Sequence, residues 1–178
     1  MTTDKETVIR NTTRWLGNVV VGLGLCPFAK PVIDEGKLEV VVTDANDSDA
    51  LLATLDDALS ALTDTGPDTT LIVVPNMLQS FDDYLDFLDI ADALLEARRK
   101  NGVIQIASFH PDYQFDGTDQ NDVSNYTNRS PYPMLHLLRE ADVQQAVDGY
   151  PDVEGIPNRN IETLNALSLD ELQRLFAR

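Results

Sequence analysis

The chain has 178 residues, of which 43% are hydrophobic, and it carries a formal net charge of −17 and one cysteine. That length and apolar content suit one domain, residues 1–178, with a sizeable core, and they exclude disorder along the whole chain. Residues 38–97 contain no Lys or Arg, so this half lacks the cationic stripe that a nucleic-acid backbone or an anionic membrane surface requires.

A lone Cys26 cannot close an internal disulfide, which fits a reducing, cytoplasmic setting. The opening residues 1–10 lead into no apolar run with a cleavage site, so no signal peptide is expected. The most apolar stretch, residues 19–28, is half the length of about 20 residues that a membrane span needs.

The first predicted element is a helix over residues 7–23, where Val8, Thr12, Trp15, Leu16, Val19 and Leu23 recur at helical spacing and Asp4 or Thr3 can cap the start. Residues 38–43 form a short β-branched run and read as a strand. A helix follows over 48–62, with Leu51, Leu55 and Leu59 inward and Gly66-Pro67 beyond its end. Residues 70–74 read as a second strand. Ser80 caps the next helix, whose inner stripe includes Tyr84, Leu88 and Leu95, and Arg98, Arg99 and Lys100 suit its C-terminal end. Residues 103–107 form a third strand.

Strands alternating with helices of this length argue for an α/β fold, a small parallel or mixed sheet of at least three strands with helices on both faces. An α+β arrangement is the alternative. Residues 109–129 then carry neither period, and a loop of that length is usually functional or disordered; the aromatics Phe109, Tyr113, Phe115 and Tyr126 argue for order. Ser130 followed by Pro131 reads as the start of a helix running to Glu140. Ser168 and Glu171 form a capping box ahead of a short last helix.

Candidate chemistry gathers in the second half. His110 directly follows the third predicted strand, where open α/β sheets bind ligands, and it can serve as a general acid or base; it can equally cap a turn with Pro111 and Asp112. Arg129, Asn125, Asn128 and Ser130 sit beside a predicted helix N-terminus, a combination that favours a small anionic ligand, or else a network that satisfies the loop. On that predicted helix Tyr132, His136, Arg139 and Glu140 share one face, and His136 and Glu140 stand four apart. A metal site would use His110 and His136 with a third ligand such as Asp112, but no HExxH pattern or cysteine pair supports one. Cys26 is a nucleophile only if a base such as His110 lowers its pKa; a lone cysteine in apolar surroundings is otherwise inert.

Three blocks carry a family resemblance: Cys26-Pro27-Phe28-Ala29-Lys30-Pro31, the run from Phe109 to Phe115, and Asn128 through Glu140, joined by Ile156-Pro157-Asn158-Arg159-Asn160-Ile161. Together they resemble the bacterial domain-of-unknown-function family 1415. The resemblance implies a stand-alone bacterial protein of about this length and raises the interest of Cys26, but it implies no activity. Three functions are therefore open: an enzyme acting on a small anionic metabolite through Cys26, His110 and Arg129; a non-catalytic ligand- or partner-binding module; and a metal-dependent protein. The pattern names neither a cofactor nor an oligomeric state.

Overall fold

The computed structural model describes residues 4–62 and 66–176. Helix α1 (Lys5–Trp15) begins at Asp4, whose carboxylate accepts the Thr7 N–H at 3.2 Å; the alternative cap, Thr3, lies outside the described residues. The same helical path continues as a π-helical turn over Leu16–Val21. The wider turn re-aims the side chains after Trp15, a device often found beside functional sites. A short helix α2 (Ala29–Asp34) leads to strand β1 (Leu38–Val42).

Helix α3 (Ser48–Ala61) is capped by Asp47, which accepts the Ala50 N–H at 2.8 Å. Strand β2 (Thr69–Val73) follows, then the long helix α4 (Phe81–Ala97), capped as expected by Ser80. Arg98, at the C-cap of α4, forks onto Asp56 of α3, its Nε donating at 2.7 Å, and so ties the two helices together. Strand β3 (Ile104–Phe109) completes the βαβα alternation that the sequence predicts.

The segment from Ser130 to Glu140 is a correction. Residues 134–139 form a strand, β4 (Met134–Arg139), not a helix, and Ser130 caps nothing: its hydroxyl donates to the Tyr132 carbonyl at 2.6 Å. The strand lies inside a four-stranded mixed sheet of order β1-β2-β4-β3. β1 and β2 are parallel, and β4 runs antiparallel to both β2 and β3. A central strand is buried on both faces and reads as a continuous apolar run. The leucines of β4 therefore mark burial on two sides rather than a helical stripe.

Helix α5 (Glu140–Asp148) leaves β4 at once, and α6 (Ile156–Asn165) and α7 (Leu169–Phe176) close the described chain. The capping box of α7 forms reciprocally. The Ser168 N–H donates to Glu171 at 2.8 Å, and the Glu171 N–H donates to Ser168 Oγ at 3.3 Å.

Helices cover both sheet faces, as expected, but unequally. Against one face α3 and α4 pack Leu51, Leu55, Tyr84 and Phe87 onto Ile72, Leu135 and Leu137, all buried. Against the other, Val8, Trp15, Val19, Leu164 and Leu172 meet Leu71, Val73 and Met134. The second cluster covers only part of its face, and α2 and α5, which reach over the rest, contain no buried residue.

Candidate functional site

Strand register determines which side chains meet over that half-covered face. Successive residues of a strand point to opposite faces, so paired positions form rows across the sheet. One row runs Val40, Leu71, His136, Ala107, and the row beside it runs Leu38, Thr69, Leu138, Gln105. Next to them Phe109 pairs with Met134. Apart from Val40 and Met134, these residues floor a cavity of about 340 Å³.

Trp15, Leu16 and Val20 form one wall of the cavity, with Leu16 and Val20 presented by the π-helical turn. Cys26, Phe28, Ala29, Val32 and Ile33 bring in α2, and Val143 and Ala146 bring in α5. A contact between the rings of Phe28 and Tyr150, centroids 5.4 Å apart, joins the α2 side to the segment after α5. Trp15 packs edge-on to Phe109 at 5.5 Å, and Phe109 stands 6.2 Å from the His136 ring.

Within these largely apolar walls the polar groups are few and constrained. His136 Nε2 lies 2.8 Å from Thr69 Oγ1, and that hydroxyl also lies 2.6 Å from the Leu137 carbonyl oxygen. Burial holds the imidazole well below its ordinary range, at about 4, so it is neutral near pH 7. At one end of the cavity Arg139 donates to Asp142 at 2.6 Å and to Asp68 at 2.8 Å, so two carboxylates flank the guanidinium. Lys37 lies 3.4 Å from Asp68 at the same end. Burial pushes the Cys26 thiol up, against the backbone N–H groups of Phe28 and Ala29, which favour the thiolate. A raised thiol is protonated near neutral pH and a poor nucleophile.

The sequence-predicted residues therefore divide. Cys26, His136 and Arg139 line the cavity together. His110 does not join them. It follows Phe109 by one residue and so turns to the opposite side, fully buried beside Phe81 and Tyr84 at ring distances of 5.2 and 5.1 Å. Its Nδ1 accepts the Asp112 N–H at 3.0 Å and its Nε2 donates to the Leu78 carbonyl at 2.9 Å. That second bond fastens a residue held at φ +57°, a strained conformation for leucine. The imidazole acts as a turn brace.

Arg129, Asn125, Asn128 and Ser130 hold the loop together. The Arg129 guanidinium donates to the carbonyls of Tyr113 and Gln120, at 3.3 and 2.7 Å, and lies 4.5 Å above the Tyr126 ring. The buried Asn125 accepts from the Phe115 N–H and the Thr118 hydroxyl and donates to the Asp119 carbonyl, all at 2.8–2.9 Å. Asn128 donates to the Ser108 carbonyl at 3.1 Å. With β4 in place of a helix, Arg129 has no helix N-terminus beside it. Among the described residues, no three His, Cys, Asp or Glu side chains are grouped to hold a metal, and His110 and His136 lie on opposite sides of the sheet.

Sequence reasoning did not single out Thr69, Phe109 or Trp15 as site residues. The available signal was Thr69 itself, a polar β-branched residue directly before the strand predicted over 70–74. For Phe109 and Trp15 the signal is visible only once the strand register is known.

Fold and cavity together define an α/β protein with a mixed sheet, one face covered by α3 and α4 and the other bearing an apolar cavity. The chain belongs to the family described as protein of unknown function DUF1415, which it matches over residues 7–174. No curated protein and no solved structure matches it. No helix among the described residues is long and apolar enough to cross a membrane.

Proposed function

We propose that this chain is a small-molecule-binding protein that holds a mainly apolar ligand between the sheet and its α2–α5 cover. The observation that carries this reading is the apolar cavity left over the half-covered face of the sheet. Ligand sites are concave and mostly apolar, with a few placed polar groups. Here about 340 Å³ stays open between apolar walls, a volume in the range of ligand pockets.

Binding is better supported than catalysis on an anionic metabolite. Arg129 is engaged by loop carbonyls and Arg139 by two carboxylates. The thiol of Cys26 is raised rather than lowered, and His136 is held as a weak base, whereas a general base works best with a pKa near the operating pH. One observation favours enzymatic chemistry as the second reading: Cys26 and His136 border the same chamber, so a thiol and an imidazole would both face a bound molecule.

Trp15 is the only tryptophan and lines the cavity, so its fluorescence reports occupancy directly. Titration with heptyl methyl ether should shift the emission saturably and raise the melting temperature through mass action. Ala107→Phe, which fills the floor of the cavity, should abolish both effects while leaving the circular dichroism unchanged. A response that does not saturate, or one that Ala107→Phe leaves intact, would overturn the reading.

A further inference from the structure

The hydrogen bonds around His136 specify more than a cavity. Thr69 Oγ1 carries one hydrogen and has two neighbours, the Leu137 carbonyl at 2.6 Å and His136 Nε2 at 2.8 Å. A carbonyl oxygen cannot donate, so the hydroxyl hydrogen must go to Leu137. The remaining contact is satisfied only if Nε2 carries a proton and donates it to Thr69. In a neutral imidazole that leaves Nδ1 as an unprotonated acceptor. The Leu137 carbonyl belongs to the sheet, so backbone geometry fixes the tautomer through one side chain.

No hydrogen bond to Nδ1 is present among the described residues, and the imidazole lies on the cavity floor, beside Leu71 and Ala107 in its row. We propose that the cavity selects neutral ligands carrying a hydrogen-bond donor, an alcohol or phenol hydroxyl that Nδ1 of His136 accepts; this rests on the cavity being a ligand site. A carboxylate meets the opposite situation. It brings no proton to Nδ1, and Asp68 and Asp142 already flank the guanidinium at the end of the chamber. Desolvating it there is costly without a partner.

The test compares three probes of similar length on the intact chain at pH 7, read by Trp15 emission: 1-octanol, heptyl methyl ether and octanoate. Octanol should bind about threefold to tenfold more tightly than the ether, the worth of one net hydrogen bond, and octanoate about tenfold or more weakly than octanol. Thr69→Val should erase the preference for octanol over the ether, and Thr69→Ser, which keeps the hydroxyl, should restore it. If octanol and ether saturate with equal affinity, the cavity reading stands and the donor inference falls; if neither binds, both fall. A ligand-free measurement is independent of probe choice. Nitrogen-15 spectra of the His136 ring should place the proton on Nε2, and a proton on Nδ1 would overturn the inference whatever the probes do.

Discussion

The depressed His136 ties the stability of the fold to pH in a window set by its two states. The unfolded imidazole titrates near 6.5 and the folded one near 4. As pH falls below about 6.5 the unfolded chain takes up a proton that the folded chain does not accept until about pH 4. Stability that is fully present above the unfolded value is therefore lost progressively down to the folded one. Relative to neutral pH, the loss reaches up to about 2 kcal/mol at pH 5 and about 3 kcal/mol at pH 4. Substitution His136→Gln removes the titration and keeps an N–H for Thr69 Oγ1. The carboxylates nearby, Asp68 and Asp142, are common to both proteins and cancel in the difference. Urea unfolding of wild type and His136→Gln at half-unit steps from pH 7.5 to 4.5 measures that difference directly. Wild-type stability should fall toward that of the variant, or below it, by about 2 kcal/mol between pH 7.5 and 5. A difference that stays constant across the window would show that burial does not depress the titration of the ring, and would refute this reasoning.

Three further outcomes are expected. Cys26 should alkylate with iodoacetamide more slowly at pH 7 than a free thiol, with its pH profile displaced upward, and a saturating cavity ligand should slow it further; a rate faster than the free thiol would revive the nucleophile reading. Arg129→Ala should lower stability by about 1–2 kcal/mol through its lost bonds and ring contact and speed amide exchange across residues 110–129. It should leave titration with inorganic phosphate unchanged, and an affinity that depends on Arg129 would reinstate the loop as an anion site. Tyr84→Phe should cost about 1–3 kcal/mol in chemical denaturation, because the buried hydroxyl donates to the Met134 carbonyl at 2.7 Å and accepts the Phe109 N–H at 3.1 Å; a neutral substitution would mean that these groups find other partners.

Legibility in the sequence follows how local the determining physics is. The strands at 38–42, 69–73 and 104–109, the helices α3 and α4, and the caps at Asp4, Ser80 and Ser168 are set by nearest-neighbour chemistry, and the sequence pattern locates them to within a residue or two. Strand β4 is different. Ser130-Pro131 imitates a helix start, and Met134-Leu135-His136-Leu137-Leu138 is rich in good helix formers. What makes it a strand is its place between β2 and β3, where both faces are buried and both edges are paired. Strand preference depends on such surroundings more than helix preference does. The segments 140–148 and 156–165 were equally hidden, because α5 contains no buried residue and α6 begins in a stretch whose prolines and asparagines favour turns.

The site was partly legible for the same reason. Cys26, His136 and Arg139 could be singled out by residue type, yet the pairing of Cys26 with His110 depended on a parity that residue type does not supply. Phe109 and His110 are adjacent, and adjacency in a strand sends them to opposite sides of the sheet. Once 134–139 is a strand, the same parity places His136 with Leu71 and Ala107 over the cavity, and it turns Leu135 and Leu137 toward α3 and α4. A helical reading of that block puts His136 beside Glu140 on a solvated face. A strand reading puts it beside Thr69, whose hydroxyl hydrogen goes to a sheet carbonyl. The chemistry of the imidazole thus depends on a register 67 residues distant in sequence. A one-residue slip of β4 against β2 would turn His136 toward α3 and α4 and take the imidazole off the floor of the chamber.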